Sequence, residues 1–340
     1  MNLGPLASPL AGLFGLGVLL RRAAYDRRWL DAAPAPVFTV AVGGLEVGGT
    51  GKTPVTELLL GALVSAGKKP ALLSRGYGRQ TRGLLLRRPG EPMPPGRFGD
   101  EPAMIVGGGL DVPVAVSERR PLGMQALAAQ GVDCVVMDDA FSHRPQARHL
   151  DVVVLCGEAP FGNGHLMPWG SLREPASSLR RASVVWLHFR GAAVLDEPAW
   201  WRRYCPKALR VVSEATPSPA ASVSGARTEL AGRRVLVAAG IARPAEFFAV
   251  IEGMGATLVA RKALSDHARY DAAVVGELDR LGTASGAELV VVTPKAAVKL
   301  RPVWRGAPLV VVGTRPTIRF GGAELARLLG VPGGVVAPAP

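Results

Sequence analysis

The residues with the clearest chemistry are Gly48-Gly49-Thr50-Gly51-Lys52-Thr53-Pro54, which follow a short apolar run, Val37 to Val42, and open an apolar-periodic stretch, Thr53 to Ala66. Glycines at this spacing let successive backbone N–H groups turn inward around phosphate oxygens. A helix starting directly afterwards adds the partial positive charge of its N-terminus. In such a loop Lys52 reaches the β- and γ-phosphates of a nucleotide and the Thr53 hydroxyl ligates Mg²⁺. Gly48, Gly49, Thr50, Gly51, Lys52 and Thr53 are therefore the candidate nucleotide-phosphate site. The strict pattern has a glycine six residues before the lysine, where this chain carries Glu46.

A loop of this kind works with an acidic residue at the end of a buried strand. Cys134-Val135-Val136-Met137-Asp138-Asp139 has that form. Two adjacent carboxylates closing an apolar strand are costly unless a cation or hydrogen bonds compensate them, which makes Asp138 and Asp139 candidate metal-site residues. Three further segments are weak singly: Gly99-Asp100-Glu101-Pro102, Ser74-Arg75-Gly76-Tyr77-Gly78-Arg79, and Asn163-Gly164-His165-Leu166-Met167-Pro168 with Leu172-Arg173-Glu174-Pro175. Each also reads as a turn or surface loop.

The elements that must hold these residues follow from pattern. Val37 to Val42, Ala71 to Ser74, Val112 to Val116, Cys134 to Met137, Val152 to Cys156 and Val184 to Leu187 are short apolar runs punctuated by glycine, the signal of buried strands. Helix-length stretches between them, such as Arg120 to Gln130, predict an α/β fold with a P-loop-type parallel sheet covered on both faces, over residues 30–212. A Pro/Ser/Ala-rich stretch within 213–225 reads as a linker or a strand pair. The alternation then restarts, predicting a second, smaller α/β unit over 226–330, with a frayed Pro-rich end.

At 340 residues, 48% hydrophobic and 20% charged, the chain is not disordered. Cys134, Cys156 and Cys205 lie too far apart for a disulfide framework or metal-ligand spacing, so a reducing compartment fits best. The formal charge of +13 asks for an anionic partner but does not choose between nucleic acid, membrane and phosphorylated substrate. With 33 arginines and seven lysines, part of the excess reflects base composition. No aromatic-basic interleaving supports nucleic acid. The first twenty residues carry no charge and are followed by Arg21, Arg22, Arg27 and Arg28 around Tyr25 and Trp29. No basic segment precedes the apolar run and no cleavage site follows it, which argues against export. Glycines and prolines weaken a spanning helix, and the favoured reading of residues 1–29 is a helix lying in the bilayer interface, ahead of a core-packing helix or a spanning anchor.

Taken in order, these motifs, together with Phe141, His143-Arg144, Asp266-His267, Thr293 and Lys295, resemble the motif series of the tetraacyldisaccharide 4′-kinase family over nearly the whole chain. The resemblance implies a membrane-associated P-loop kinase that uses ATP and Mg²⁺ to phosphorylate the 4′-hydroxyl of a tetraacylated glucosamine disaccharide 1-phosphate, giving lipid IVA in lipid A biosynthesis. It further implies a place on the cytoplasmic face of the inner membrane, against an anionic surface, with no nucleic acid and no obligate protein partner. On this resemblance Lys52 and Thr53 hold ATP phosphates and Mg²⁺, while Glu101, Asp138 and Asp139 form the metal and catalytic shell. Asp100 is the base, supported by His267, with Asp139 the next candidate. Arg75, Arg79, Arg144, Asn163, Arg173 and Glu174 are the expected substrate contacts, the arginines because a guanidinium pairs two oxygens at once.

The chain departs from the family pattern at Ala140, Ser142, Ala268, Pro294 and Ala296. These changes spare the phosphate and metal chemistry and bear on contacts to substrate or base. The competing reading is a membrane-associated ATPase or GTPase of the partitioning or targeting type. Those proteins usually carry a second lysine early in the loop, where this chain has Leu45, Glu46 and Val47. A catalytically dead scaffold would have no use for so many acidic residues.

Overall fold

The computed structural model describes residues 8–222, 225–241, 243–265 and 270–332. In chain order the first part runs α1 (Ser8–Asp26), β1 (Phe38–Gly43), α2 (Lys52–Ser65), β2 (Pro70–Ser74), β3 (Leu85–Arg87), α3 (Pro95–Phe98), α4 (Asp100–Gly107), β4 (Val114–Val116), α5 (Arg120–Ala128), β5 (Cys134–Met137), β6 (Leu150–Cys156), β7 (Val184–Phe189), α6 (Trp201–Tyr204) and β8 (Leu209–Pro217). There follow β9 (Ala221–Ser222), β10 (Arg234–Ala239), α7 (Pro244–Gly253), β11 (Thr257–Ala263), α8 (Ala272–Ser285), β12 (Leu289–Val292), α9 (Pro294–Leu300), β13 (Leu309–Val311), β14 (Thr314–Phe320) and α10 (Gly322–Leu329).

The first sheet has nine strands in the order β14-β8-β7-β6-β1-β5-β2-β4-β3, parallel from β8 to β4 with antiparallel edges. Its central strands read as unbroken apolar runs because both faces are covered. Val40, Val42, Val136, Val152 and Val154 are fully buried, against Leu59 and Leu63 of α2. Burying each such side chain contributes about 1.5–3 kcal/mol. α2 is apolar on nearly every side, as a helix enclosed by protein must be. The second sheet, β11-β10-β12-β13-β9, carries its own core around Val237, Val291 and Ile251.

The division between the two units differs from the expected boundary. β8 continues to Pro217 inside the first sheet and β9 follows in the second, so the stretch read as a linker or a strand pair is built of strand on both sides of the crossing. The last strand and helix, β14 and α10, leave the second unit and return to the first, where Leu325, Ala326 and Leu329 join the main core. Pro217 and Pro316 disguise this pair in the sequence. A strand at the sheet edge tolerates proline because one side of its backbone has no ladder to complete. The chain therefore passes between units twice, side by side, and the crossings are tied where Ser218 N–H donates to Gly313 O (3.0 Å) and Gly313 N–H to Ser218 Oγ (2.8 Å).

Candidate active site

Because β1, β2, β5, β6 and β7 run parallel, the loops after their carboxyl ends gather along one edge of the sheet. The loop after β1 turns through Gly48 (φ 114°) and Gly51 (φ 90°) into α2. Gly51 is dictated by contact as well as by its left-handed backbone, since a Cβ there would lie 2.4 Å from Cδ2 of His188. His188, at the end of β7, is held by a 2.9 Å hydrogen bond with Ser213 Oγ, and burial keeps its pKa low. Glu46, where the strict pattern has glycine, is buried and accepts a hydrogen bond from Ser171 Oγ (2.7 Å). Val47 N–H donates to Ser171 O, so segment 171–173 braces the start of the loop. Lys52 Nζ donates to Gly48 O at 2.9 Å, curling the side chain over the loop. Burial lowers the Lys52 pKa, and the nearby Asp139, Asp138 and Glu101 oppose that effect.

Asp138 and Asp139 follow β5, which pairs directly with β1. Asp138 is 2% exposed; its Oδ1 accepts from Thr56 Oγ1 of α2 at 3.0 Å, while its Oδ2 is buried without a partner. Burial first, then the charge of Asp139, raises its pKa. Asp139 has φ 42°, a left-handed conformation rare outside glycine and costing about 1–3 kcal/mol. Two arginines hold it there. Arg120 donates to the carbonyls of Asp138 (2.7 Å) and Asp139 (3.0 Å), and Arg173 grips the Asp139 carboxylate with both nitrogens at 2.7 and 2.6 Å. Burial pushes the Asp139 carboxyl upward, but the hydrogen bonds and charge of Arg173 outweigh it and the pKa ends below the usual range. Glu101 is driven up to about 7 by burial and by Asp138 and Asp139, against Lys52 and Lys295.

Asp100 and Glu101 begin α4, and the preceding Gly99 explains why two separated motifs belong together. Gly99 (φ 99°) lies so near the loop after β2 that a Cβ on it would sit 2.9 Å from the backbone of Gly76 and Tyr77. A Cβ on Gly76 (φ 69°) would in turn sit 2.7 Å from Phe98 O. The Ser74–Arg79 loop thus places the start of α4. Gly99→Ala is expected to lower stability by about 1–3 kcal/mol and to cut turnover, because only backbone can yield and Asp100 moves with it. Thermal melting and steady-state rates check this, and an unchanged rate would separate the glycine contact from the placement of Asp100.

Several expected substrate contacts have partners within the chain. Arg79 donates to Glu118 Oε1 (2.5 Å) and Gly83 O (2.6 Å), holding its own loop. Arg144 pairs with Asp26 of α1 at 2.7 Å and lies over the Tyr25 ring. Glu174 is gripped by both nitrogens of Arg181, at 2.8 Å each. Asn163 shapes its loop, accepting from His165 N–H (3.2 Å) and donating to Trp169 O (3.3 Å). Arg173 faces the site through Asp139, and Arg75 is exposed. His267, with Asp266, falls outside the described residues. The departures Ala140 and Ala296 are core positions, 0% and 1% exposed, and Pro294 occupies the first turn of α9, where proline is favoured.

Sequence reasoning passed over Arg120, His188, Thr56 and Lys299. His188 sits within the apolar run Val184–Phe189, where a polar residue is the available signal, Arg120 follows the charged Glu118-Arg119 and carries no such mark, and Thr56 lies one helical turn beyond Lys52. Lys299 belongs to the second unit; its Nζ lies 2.9 Å from Asp100 Oδ2.

α1 lies on this same side of the first unit. Ala11 and Gly15 pack inward, with Leu166 so near that a Cβ on Gly15 would lie 2.8 Å from its side chain, whereas Leu10, Leu13, Leu16, Leu19 and Leu20 are exposed. Arg22 donates to Ser177 and Ser178 Oγ, each at 3.2 Å. Beside the helix opens a cavity of about 670 Å³, lined by Gly12, Leu166, Trp169, Leu172 and Tyr204. Leu172, in its lining, immediately precedes Arg173. Among the described residues no helix is long and apolar enough to cross a membrane.

A glycine-rich turn between a central parallel strand and its helix, faced by an acidic pair on the adjoining strand, defines a P-loop protein. Residues 3–329 match the family model described as tetraacyldisaccharide-1-P 4′-kinase. A tetraacyldisaccharide 4′-kinase of Anaeromyxobacter dehalogenans is 41% identical over 307 residues, covering 86% of this chain and 80% of the relative. That of Alkalilimnicola ehrlichii is 38% identical over 291 residues, covering 86% and 82%. The fold matches the crystal structure of LpxK from Aquifex aeolicus in complex with ATP, with a TM-score of 0.77 at 24% identity over 95% of this chain and 97% of that one. The chain belongs to the tetraacyldisaccharide-1-P 4′-kinase family and is a kinase.

Proposed function

We propose that this kinase transfers the γ-phosphoryl group of ATP to the 4′-hydroxyl of a tetraacylated glucosamine disaccharide 1-phosphate, with Asp100 accepting the hydroxyl proton and His267 supporting it. The observation that carries the reading is the gathering of Lys52, Glu101, Asp138 and Asp139 at the mouth of the glycine-rich loop, with Asp100 on the side facing the second unit. In phosphoryl transfer positioning and charge stabilisation do most of the work, and the proton leaves late, so a carboxylate suffices as base. The residues fit Mg²⁺: Asp138 has a buried oxygen without a partner, and burial first, then Asp138 and Asp139, raises the pKa of Glu101 beside it. Among the described residues there is no group of three His, Cys, Asp or Glu side chains that could hold a metal ion by themselves. Thr53, Asp138 and Glu101 would hold it, and when bound it would neutralise charge on the phosphates. Asp139, committed to Arg173, would act from outside that shell. The reading is tested by incubating the purified protein with Mg-ATP and tetraacyldisaccharide 1-phosphate. Mass spectrometry is expected to show a lipid heavier by one phosphate, and ATP hydrolysis with the lipid unaltered would favour the ATPase alternative.

The exposed leucines of α1, the groove beside it and the arginines at its end support an acceptor presented from the anionic cytoplasmic face of the inner membrane, with acyl chains along the groove. Leu13 and Leu16 are 67% and 53% exposed, so glutamate at either position leaves the fold alone. Leu13→Glu and Leu16→Glu are each expected to weaken binding to anionic vesicles about tenfold while ATP affinity holds. Vesicle co-sedimentation checks this, and undiminished binding would remove α1 from the membrane contact.

A further inference from the structure

Asp100 opens α4 in the first unit, yet its ion-pair partner comes from the second. Lys299 stands on α9, whose placement is set by the second unit's own core. Thr293 caps the helix by accepting from Ala296 N–H at 3.4 Å, and Ala296, Ala297 and Leu300 are buried in that core. From this anchored helix Lys299 Nζ reaches Asp100 Oδ2 at 2.9 Å, with side-chain exposures of 19% and 29%. Val298 meets the other end of α4, its Cγ2 3.6 Å from where a Cβ on Gly107 would stand. The two helices are therefore pinned at both ends of α4. Among the described residues the chain itself crosses between the units at the adjacent positions Ser218 and Gly313, and the pairing of Lys299 with Asp100 adds a contact across the seam at α4.

We propose that Lys299 is a positioning residue for Asp100: carried on α9, it fixes one carboxylate oxygen across the seam and leaves the other to receive the acceptor's proton. The inference rests on Asp100 being the base. A lone aspartate on a helix's first turn has several rotamers of similar energy, and only some aim an oxygen at an acceptor held between the units. A partly buried charge-assisted bond at 2.9 Å selects one of them. Because the partner belongs to the second unit, the base is aligned only when that unit is docked on α4. The phosphate loop, residues 44–53, lies wholly in the first unit and does not need Lys299.

The test is steady-state kinetics of the full chain with Mg-ATP and tetraacyldisaccharide 1-phosphate, on Lys299→Met, Lys299→Arg, Asp100→Asn and the Lys299→Met/Asp100→Asn double variant, with thermal melting of each. Lys299→Met is expected to lower kcat by about one to two orders of magnitude, the scale of a base misplaced by an ångström, and to leave KM for ATP within about twofold. Lys299→Arg should recover most of the rate. The double variant should be no slower than Asp100→Asn, because a positioning residue has nothing to position once the base is gone. Wild-type kcat in Lys299→Met beside an impaired Asp100→Asn would overturn the proposal and leave the base standing. Losses that multiply in the double variant, or a Lys299→Arg enzyme as slow as Lys299→Met, would make Lys299 a structural residue. Full activity in Asp100→Asn would overturn the assignment of the base itself.

Discussion

Replacing Lys52 by alanine is expected to lower kcat/KM by about three orders of magnitude, or about 4 kcal/mol of transition-state stabilisation. Lys52 is the cation that closes the glycine-rich loop, and it stands among three carboxylates, Asp139, Asp138 and Glu101. On the proposed reading its removal would take away the point charge beside the β- and γ-phosphates and leave those carboxylates uncompensated. The fold should survive, because burial already disfavours the charged amine and its hydrogen bond reaches only Gly48 O of the same loop. Lys52→Arg should recover little, since a planar fork does not replace a compact ammonium in a turn this tight. Single-turnover measurements with Mg-ATP, alongside thermal melting, decide the matter. A Lys52→Ala protein that turns over at the wild-type rate would remove the loop from the chemistry.

Asp138→Asn is expected to slow turnover by about two to three orders of magnitude and, in the same protein, to raise the melting temperature measured without metal. The opposed directions come from one cause. Burial and the neighbouring Asp139 raise the Asp138 pKa despite Thr56, Lys52 and Arg120, so the folded chain holds this carboxylate at a cost. For an acid whose pKa is raised on folding, the cost is absent below the unfolded value of about 3.9 and grows as pH rises through and beyond it. At neutral pH asparagine removes that cost while still accepting the Thr56 hydrogen bond. Below about pH 3 the two proteins should melt alike. With Mg-ATP present the order should reverse, because the carboxylate that destabilises the empty site would hold the cation and the variant would gain less from ligand. Melting curves across pH, with and without Mg-ATP, together with rates, test both halves. A variant that is slower and also less stable without metal would mean that Asp138 serves the fold.

Most of the first unit was legible along the chain because its signals are local. Short apolar runs punctuated by glycine became β1, β2, β5, β6 and β7, since a strand buried on both faces reads as a near-continuous apolar run. The glycine-rich turn with Lys52 and the acidic end of β5 each lie in adjacent residues, so both are visible along the chain. The edge strand β3, the start of α4, the run of β8 to Pro217 and the return of β14 and α10 to the first sheet escaped this reading, the last because which sheet an edge strand joins depends on the space left beside β8 and not on the strand's own residues.

Local spacing and the burial of apolar runs suffice for the α/β architecture, the glycine-rich loop between β1 and α2 and the acidic pair after β5. The tertiary structure decided which charges meet. Arg173 lies 34 residues from Asp139 and Arg120 18 or 19 residues from the carbonyls it holds, yet all converge on one turn. Arg79, Arg144 and Glu174 were drawn into pairs that hold loops and helix α1. Lys299 came to Asp100 from another unit altogether. A long charged side chain carries no mark of its partner, because the bond it makes is set by where two independently packed elements come to lie.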